Sequence, residues 1–464
     1  MGKNVPVQLR PYQNEIIDKT RNLMRLGAKS ILIQSPTGSG KTLLTSHMLG
    51  TAAEKGMPSW FIVHRRELIK QSTIAFDGEG ISHGIISANF ESNRTKLIQI
   101  ASIQTLARRF HKYRTPGLIV WDECHHIAAN SWARIFNEYP NSFHIGLTAT
   151  PERLDGTGLK KWFRDMVKGP SVTWLIENGY LSPYKLYAPS QIDLTSVRTK
   201  MGDYVGSDLV KVVDKPSITG DAVKHYLKLC NGARAVVFCA SVEHSKHVVA
   251  EFKKYGLPAE HVDGETDTSL RDAAISRFRR GETRILSNVE LFGEGFDVPC
   301  IEAAILLRPT QSLGLYLQQV GRSLRPAEGK TCSIILDHAG NCQRHGLPDD
   351  ERIWTLEGRE RKKGKTPSTI RVCPKCFATQ RRGPMVCLQC GNIFEVESRE
   401  VEQRDGELSE VDKAAFQKAR RSEQGKAKDL DQLIALGRSR GYKNPYWWAQ
   451  NVMKCRMAKV RAYV

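Results

Sequence analysis

The chain has 464 residues, with 69 Lys and Arg against 49 Asp and Glu, and its formal net charge at pH 7 is +20. This length predicts two large domains with smaller additions, because one hydrophobic core rarely organises so long a chain. The charge predicts a polyanionic partner, and nucleic acid fits better than an acidic membrane, since we find no apolar stretch of about 18 residues and no lipidation motif. The first residues lack a secretory signal, so a cytoplasmic protein with no membrane partner is expected.

Short apolar, β-rich runs alternate with helical patterns along much of the chain. The first series occupies residues 30–35, 59–64, 97–103, 118–121 and 144–149. A second series occupies residues 235–238, 284–289, 303–307 and 333–336. Alternation of this kind is typical of parallel sheets covered by helices. The sequence therefore predicts an α/β fold with two parallel-sheet domains in tandem.

Changes in composition predict where the domains begin and end. Pro183 and Pro189 with a polar run mark a linker, and a dense charged run near residue 360 marks a second one. The predicted divisions are a first domain 1–182, a linker or insertion 183–215, a second domain 216–345, a charged linker 346–370, a cysteine module 371–397 and a basic helical tail 398–464.

A glycine-rich segment follows the first predicted strand. It reads Gly38-Ser39-Gly40-Lys41-Thr42 and leads into a helical pattern, which is the context of a phosphate-binding loop. We expect Lys41 to contact the β- and γ-phosphates of ATP and Thr42 to bind Mg²⁺. A glycine-rich turn that ends in Lys-Thr by chance is the alternative, and the strand before it and the helix after it disfavour this.

Two carboxylates follow the apolar run 118–121. Asp122 and Glu123 are therefore expected at the edge of the sheet where α/β proteins bind ligands. We expect Asp122 to hold Mg²⁺ through water, and Glu123 to orient and deprotonate the attacking water. A solvated Asp-Glu loop is the alternative, and the phosphate loop earlier in the chain favours the catalytic interpretation.

Two arginines lie three residues apart in the second domain. Arg322 and Arg325 share one face if residues 317–324 are helical. Guanidinium groups so placed stabilise the charge on a transferred phosphoryl group. A basic face on a surface helix is the alternative. If the arginines act on ATP, the site is split between the domains and hydrolysis requires the domains to close.

From about residue 8 to residue 345 the chain resembles helicase superfamily 2, the DEAD/DEAH-like helicases. The motifs that carry the resemblance are LRPYQ at 9–13, HRREL at 64–68, SIQTL at 102–106, DECH at 122–125, LTATP at 147–151, VFCAS at 237–241, the segment 287–299, and QQVGRSLR at 318–325. The resemblance implies two RecA-like domains that share an ATP site. The first and fourth motifs, with ILDHAGN at 335–341, are most similar to RadD-type bacterial DNA repair helicases and related phage helicases.

The resemblance also implies roles for individual residues. Nucleotide contacts are assigned to Arg10, Gln13, which would read the base, Gly295 and Asp297. Coupling between ATP and nucleic acid is assigned to His125, Thr148, Thr150 and Gln318. Contacts with the phosphates of one strand, which position nucleic acid without reading sequence, are assigned to Arg65, Gln104, Thr105, Ser241 and Asn288. Ordinary packing at strand ends is the alternative for the two threonines.

Four of the eleven cysteines form two pairs, Cys373 with Cys376 and Cys387 with Cys390. Two such pairs can close a tetrahedral thiolate site around Zn²⁺, as in a zinc ribbon, and four cysteines leave no open position, so the metal would be structural. A redox dithiol is the alternative, although a second matched pair exceeds what redox chemistry needs. The other cysteines are scattered, which indicates a reducing compartment.

The end of the chain is basic and aromatic. Seven Lys and Arg and no acidic residue follow Asp431, and residues 442–448 hold four aromatic side chains. Nucleic-acid bases could stack on these rings. A small helical cap in which Trp447, Trp448 and Val452 pack together is an equal alternative.

Together these observations predict an ATP-dependent DNA helicase or translocase that uses ATP, Mg²⁺ and structural Zn²⁺. The expected track is single-stranded, forked or branched DNA. We expect a monomeric motor that works with repair or replication proteins in a bacterial cytoplasm or nucleoid, or in a phage-infected cell. An RNA-stimulated ATPase and an ATP-switched nucleic-acid scaffold stay open as alternatives. The presence of Glu123, Arg322 and Arg325 favours hydrolysis over the scaffold.

Overall fold

The computed structural model describes residues 8–88, 90–153, 155–189, 192–200, 202–230, 232–289, 300–358, 369–394, 422–442 and 444–461. The chain divides into two compact units, Met1–Glu395 and Val396–Val464. The first unit contains two sheets, one in the N-terminal lobe (residues 8–182) and one in the C-terminal lobe (residues 183–345).

A seven-stranded parallel sheet forms the centre of the N-terminal lobe. Its strands are β1 (Ser30–Gln34), β2 (Ser59–Val63), β3 (His83–Ile86), β4 (Ile98–Ser102), β5 (Leu118–Trp121), β6 (Phe143–Thr148) and β7 (Asp165–Lys168). Their order across the sheet is β3-β4-β2-β5-β6-β1-β7. Phe61 and Val63 of β2 belong to one apolar cluster and Trp60 and Ile62 to another, so both faces of the sheet are buried.

Helices cover this sheet. They are α1 (Pro11–Arg25), α2 (Lys41–Glu54), α3 (Arg66–Gly78), α4 (Ile103–Arg109), α5 (Asn130–Glu138) and α6 (Val172–Glu177), with 3₁₀ turns at Phe110–Lys112 and Cys124–His126. Pro11 stands at the first position of α1, where its missing N–H costs no hydrogen bond. Helix α2 begins directly after Gly40, at the carboxyl end of β1, which places its N-terminus at the ligand-binding edge of the sheet.

The C-terminal lobe contains a six-stranded parallel sheet and a short hairpin. In chain order the strands are β8 (Tyr184–Tyr187), the hairpin strands β9 (Thr199–Lys200) and β10 (Asp203–Tyr204), then β11 (Ala235–Phe238), β12 (Ala259–Val262), β13 (Ile285–Asn288), β14 (Ala303–Leu306) and β15 (Ser333–Asp337). The order across the sheet is β12-β13-β11-β14-β15-β8. The helices are α7 (Gly206–Val213), α8 (Pro216–Leu229), α9 (Val242–Lys254), α10 (Thr268–Arg280), α11 (Leu313–Ser323) and α12 (Asn341–His345).

The predicted class, two parallel-sheet α/β domains in tandem, is confirmed. Each of the nine apolar runs contains an observed strand. The segment 183–215, predicted as a linker, differs from that description. It supplies β8, which pairs with β15 in parallel, followed by the hairpin and α7. A four-residue strand between two prolines is too short to show a clear periodicity, which explains the difference.

Residues 346–358, predicted as part of a charged linker, pack back onto the N-terminal lobe. Leu356 is buried in the cluster that contains Leu159 and Phe163. Its carbonyl accepts a hydrogen bond from the Lys160 N–H at 2.9 Å, and Lys160 Nζ lies 2.7 Å from a carboxylate oxygen of Glu357. The lobes are therefore joined at two places along the chain.

The cysteine module is an antiparallel pair of strands, β16 (Ile370–Val372) and β17 (Thr379–Arg381), docked on the C-terminal lobe. The N–H of Ala188, just after edge strand β8, donates to the carbonyl of Phe377 at 3.0 Å. Cys373 and Phe394 lie in the same apolar cluster as Tyr187. The module therefore continues the core of this lobe.

The second unit contains α13 (Leu430–Ser439) and α14 (Pro445–Arg461). Asp429 caps α13 by accepting a hydrogen bond from the Gln432 N–H, and Leu433 and Ala449 are fully buried between the helices. In the described parts of both units, we find no helix with the length and apolar character needed to cross a lipid bilayer.

Candidate functional site

The glycine-rich loop between β1 and α2 has the backbone geometry of a phosphate cradle. Gly38 and Gly40 have φ angles of +88° and +81°, a region that favours glycine. A Cβ atom on Gly40 would lie 2.6 Å from Gln13 Nε2, and one on Gly38 would lie 2.8 Å from Leu181 Cδ2. Both positions therefore need glycine, and the free N–H groups at the start of α2 point toward this loop.

Hydrogen bonds hold the loop in shape. Ser35 Oγ donates to Ser39 Oγ at 2.7 Å, and Ser39 Oγ donates to the Pro36 carbonyl at 2.7 Å. Lys41 Nζ lies 3.4 Å from the Ser35 carbonyl, so the ammonium group folds over the loop. Thr42 is exposed in the first turn of α2. This arrangement fits the triphosphate of ATP, with the Thr42 hydroxyl open to a divalent cation.

Residues 10–13 brace the loop from behind. Tyr12 Oη donates to the Ser39 carbonyl at 2.7 Å, and Gln13 Nε2 donates to the carbonyls of Ser39 and Gly40 at 3.2 and 3.3 Å. Gln13 Oε1 accepts from the Arg10 N–H at 2.9 Å. The Gln13 amide is therefore engaged with the backbone of the loop, and its contact with the base stays a prediction.

Three aromatic rings beside this motif were not singled out from the sequence. Tyr12 and Tyr180 meet edge to face at 5.1 Å, and Trp174 stacks on Tyr180 at 5.7 Å. The Arg10 guanidinium lies 4.9 Å from the centre of the Tyr180 ring. Trp174 and Tyr180 come from α6 and the turn after it, far along the chain from the motif. Their only sequence signal is a pair of aromatics at the end of the first domain.

The two acidic residues lie opposite the loop. Glu123 Oε1 is 3.7 Å from Lys41 Nζ. Burial, followed by the neighbouring Glu123 carboxylate, raises the pKa of Asp122 to about 6, although Lys41 and His64 oppose this. A buried carboxylate with a raised pKa gains from a cation close by. The donor set of Asp122 and Thr42 thus fits Mg²⁺, which prefers oxygen ligands.

A chain of polar contacts leads away from Glu123. His125 Nδ1 is 3.4 Å from Glu123 Oε2 and 3.2 Å from Thr148 Oγ1, and Thr148 Oγ1 donates to the Thr150 carbonyl at 2.9 Å. A Cβ atom on Gly314, in the first turn of α11, would lie 2.9 Å from Thr150 Oγ1. The predicted coupling residues of the N-terminal lobe therefore connect the acidic pair to a helix of the C-terminal lobe.

The other end of α11 meets the phosphate loop. A Cβ atom on Gly321 would lie only 2.6 Å from Thr37 Cβ, and Arg325 Cγ lies 3.6 Å from the Cβ position of Gly38. Gln318 and Arg322 are both buried on this helix. The structure thus brings both predicted arginines to the lobe interface beside the loop.

One detail of the arginine prediction is corrected. Helix α11 ends at Ser323, so Arg325 lies in the turn that follows and not on the helix face beside Arg322. Pro326 explains this, because a residue before proline is disfavoured in helical conformation.

The residues predicted to contact a nucleic-acid strand occupy several environments. Gln104 is exposed and donates to the His64 carbonyl at 3.1 Å, Thr105 is half-buried, and Arg65 precedes α3. Ser241 caps α9 by accepting from the His244 N–H. Asn288 is fully buried, and its Nδ2 donates to the Val237 carbonyl at 2.8 Å.

Gly295 and Asp297 lie outside the described residues. In the C-terminal lobe, the described part of the prediction thus places structural hydrogen bonds on both Ser241 and Asn288.

The four cysteines of the module converge. Their sulfur atoms all lie within 4.8 Å of one another, and the Cys373–Cys390 and Cys376–Cys387 sulfur pairs are 3.7 and 3.6 Å apart. A tetrahedral Zn²⁺ with bonds of about 2.3 Å separates its sulfur ligands by about 3.8 Å. The cluster is therefore compatible with zinc.

Comparison with known proteins places the chain among helicases. A family model described as the res subunit of type III restriction enzymes matches residues 6–153, and one described as the helicase conserved C-terminal domain matches residues 220–327. A 51.5 kDa protein of a Lactococcus phage (isolate 7-9) is 37% identical over 417 residues, which are 89% of each chain.

Two relatives carry a name that describes activity. A putative ATP-dependent helicase, IRC3 of Saccharomyces cerevisiae, is 31% identical over 357 residues, 72% of this chain and 51% of the yeast protein. The DNA 3'-5' translocase XPB2 of Sulfurisphaera tokodaii is 24% identical over 383 residues, 71% and 81% of the two chains. This chain thus spans about half the length of the yeast relative.

A solved structure shares the fold of the two lobes. A fragment of a putative HsdR subunit of a type I restriction enzyme from Vibrio vulnificus superimposes with a TM-score of 0.58 and 25% sequence identity. The match covers 73% of this chain and 66% of the fragment.

Proposed function

The chain belongs to helicase superfamily 2, and from that premise we propose that it is a DNA helicase or translocase whose lobes close on ATP to move along one strand. ATP hydrolysis coupled to nucleic acid is the activity of this family. The observation that carries the mechanism is the packing of α11 against Thr37 and Gly38, since it brings residues of both lobes to one phosphate site.

The roles of the site residues follow from their positions. Lys41 neutralises the β- and γ-phosphates, while Thr42 and Asp122 hold Mg²⁺. Glu123 orients the attacking water and accepts its proton. Arg322 and Arg325 stabilise the charge on the transferred phosphoryl group, a contribution worth about 10³ to 10⁵ in rate for an arginine finger.

Relay of the ATP state to the nucleic-acid surface is assigned to the contact of α11 with Thr150. When ATP is hydrolysed, contacts of Arg322 and Arg325 with the γ-phosphate are lost, and the first turn of α11 moves with the rest of that helix. Thr150 is bonded through Thr148 to the region of Glu123, so the same element senses both events.

The choice of DNA over RNA rests on the relatives. One of them is named a DNA translocase, and the N-terminal family model is described by a restriction enzyme subunit. A role in repair, recombination or phage replication, and the similarity to RadD-type helicases, stay predictions. Zn²⁺ in the cysteine cluster would stiffen the module that continues the core of the C-terminal lobe.

ATPase rates measured with single-stranded DNA, forked DNA and RNA of matched length test this proposal. We expect DNA to raise kcat and RNA to raise it less. Stimulation by RNA alone would favour the RNA alternative, and no stimulation by any polynucleotide would favour the ATP-switched scaffold. A salt titration of binding to each substrate counts the phosphate contacts and ranks the substrates in the same experiment.

A further inference from the structure

The turn after α11 contains a positively charged side chain that belongs to none of the motifs. The last carbonyl groups of a helix lack partners within the helix. Here Lys330 Nζ donates to the Ser323 carbonyl and, at 2.9 Å, to the Arg325 carbonyl. The Leu324 carbonyl between them accepts from the Ser182 N–H at 2.7 Å. Every carbonyl from Ser323 to Arg325 is therefore held by an identified donor.

The ammonium group of Lys330 is fully used. Its third acceptor is the Ile301 carbonyl, at 2.7 Å, so three N–H groups meet three carbonyl oxygens. A turn closed by the hydrogen bond from the Lys330 N–H to the Ala327 carbonyl returns the side chain beneath the end of α11. Gly329 allows this turn with a φ of +75°. Lys330 is thus partly buried and fixed, unlike an ordinary surface lysine.

We propose that Lys330 is a positioning residue for Arg322 and Arg325, because its ammonium group fixes the backbone from which both guanidinium groups project. This inference rests on the proposed role of the two arginines in hydrolysis. Arg322 lies in the last turn of α11, and Arg325 lies two residues beyond the end of that helix. A cation at a helix C-terminus also interacts favourably with the helix dipole.

The geometry explains why a small displacement of this turn would matter. Arg325 Cγ lies 3.6 Å from the Cβ position of Gly38, and Gly321 packs on Thr37. A shift of the turn therefore moves the arginines relative to the phosphate loop. Misplacement of a catalytic group by about 1 Å lowers rates by about 10²-fold, while ATP contacts made by the N-terminal lobe alone are unaffected.

The charge state of the side chain gives a second signature. Burial lowers the pKa of Lys330 to about 8, although Glu302, Cys332 and Cys300 act in the opposite direction. Glu302 is itself paired with Arg234, at 3.2 Å. A neutral amine has two N–H groups for three carbonyls, so one contact is lost as the pH rises through this value.

The test compares K330M with the wild-type chain. Methionine has a similar length without a donor, and we expect kcat to fall about 10- to 100-fold with the KM for ATP unchanged within about twofold. K253M, which changes an exposed lysine of α9 in the same lobe, is the matched control and keeps the wild-type rate. If K330M fails to fold, K330Q is measured in the same way, and a smaller loss is expected because its amide keeps two N–H groups.

The same substitution in an R322A/R325A background separates positioning from general stability. Without the arginines, K330M should cause no further loss of kcat. An equal loss in both backgrounds would overturn the inference, as would a normal kcat for K330M in the wild-type background. A normal rate for R322A/R325A itself would instead refute the proposed role of the arginines.

K330R supplies the conservative variant. Its guanidinium stays charged, so kcat should hold through about pH 9, whereas the wild-type kcat declines above about pH 8. Identical alkaline declines in the two proteins would contradict the assignment.

Discussion

Glu123 combines two features of a catalytic carboxylate at the scale of a single residue. Its backbone lies in the left-handed region with a φ of 45°, which costs a residue other than glycine about 1–3 kcal/mol. Its side chain lies within 4 Å of Lys41 Nζ and of His125 Nδ1. The surrounding structure therefore holds the carboxylate in a conformation that it would leave if it were only a surface residue.

Replacing this carboxylate tests its role. We expect E123Q to bind ATP normally and to lower kcat about 10²- to 10⁴-fold, because glutamine keeps the shape of the side chain but accepts no proton. Nucleotide binding by fluorescence and single-turnover hydrolysis measure the two effects separately. E138Q, at the exposed end of α5 in the same lobe, is the matched control. A near-normal rate for E123Q would exclude Glu123 as the base.

The residues of the ATP site that were predicted share one property, which is that they lie in short contiguous motifs. Lys41 and Thr42 follow one strand directly and Asp122 and Glu123 follow another, so local pattern predicts their place in the sheet. Tyr180 and Lys330 could not be found in this way. Each reaches the site through tertiary packing, and its sequence neighbours carry no spacing that distinguishes it from a surface residue.

At the scale of elements, the sequence predicted the interior strands and missed all four edges. The strands without a prediction are β3 and β7 in the N-terminal lobe and β8 and β12 in the C-terminal lobe, and these are the two ends of each sheet. Interior strands are apolar throughout because both faces are buried. Edge strands are partly exposed, as in β7, where one of four residues is buried, so their apolar signal is weak.

Helix α11 joins the lobes through a glycine. We expect G321A to lower kcat about 10- to 100-fold, because the new methyl group would meet Thr37 Cβ at 2.6 Å and hold α11 away from the phosphate loop. Steady-state ATPase assays and thermal unfolding measure the effect. The clash lies between the lobes, so the unfolding temperature should change little.

The control for this glycine is G220A. Gly220 lies within α8, and no atom approaches within 4 Å of its Cβ position. Alanine there should keep activity and stabilise the helix by about 0.5–1 kcal/mol. Equal rates for the two variants would show that α11 does not have to approach the loop closely during turnover.

The cysteine module should link a metal to the stability of its lobe. Removing zinc is expected to unfold residues 373–394 and to lower the unfolding temperature of the C-terminal lobe, because Cys373 and Phe394 share a core with Tyr187. ATP binding by the N-terminal lobe should persist. Metal analysis, proteolysis and calorimetry with and without a chelator measure these effects.

Two substitutions sharpen this experiment. C390S removes one of the four converging sulfurs, whereas C332S changes a half-buried cysteine outside the cluster. C390S should lose metal and C332S should keep it. A module that resists proteolysis equally after chelation would contradict a structural role for the metal.

At the scale of the whole molecule, the two lobes are connected twice, after α6 and again through residues 346–358. The second connection is anchored by buried Leu356 and by the Lys160–Glu357 ion pair. A single linker would permit any relative rotation. Two connections restrict the lobes to motion that preserves both, which suits a cycle of closing and opening around one ATP site.

The helical unit at the end of the chain settles part of the question that its aromatic residues raised. Trp448 packs inward, with its ring 5.0 Å from that of Tyr442, and Val452 joins the same apolar cluster. These two residues behave as a helical cap requires. Trp447 and Tyr446 instead are 65% and 54% exposed on a surface without nearby acidic residues after Asp431. One face packs, and the other is open to a polyanion.

This difference between neighbouring residues predicts how the full-length protein grips its track. We expect W447A to weaken binding to short single-stranded DNA about 5-fold or more, because stacking of a base on an aromatic ring contributes about 1–3 kcal/mol. The kcat for ATP at saturating DNA should stay unchanged, since the substitution leaves the site between the lobes intact. Y255A removes a ring that is 47% exposed on the C-terminal lobe and should leave the affinity unchanged. W448A, in contrast, should lower the stability of the helical unit. Equal affinities of W447A and wild type across a salt titration would mean that the tail attracts DNA by charge alone.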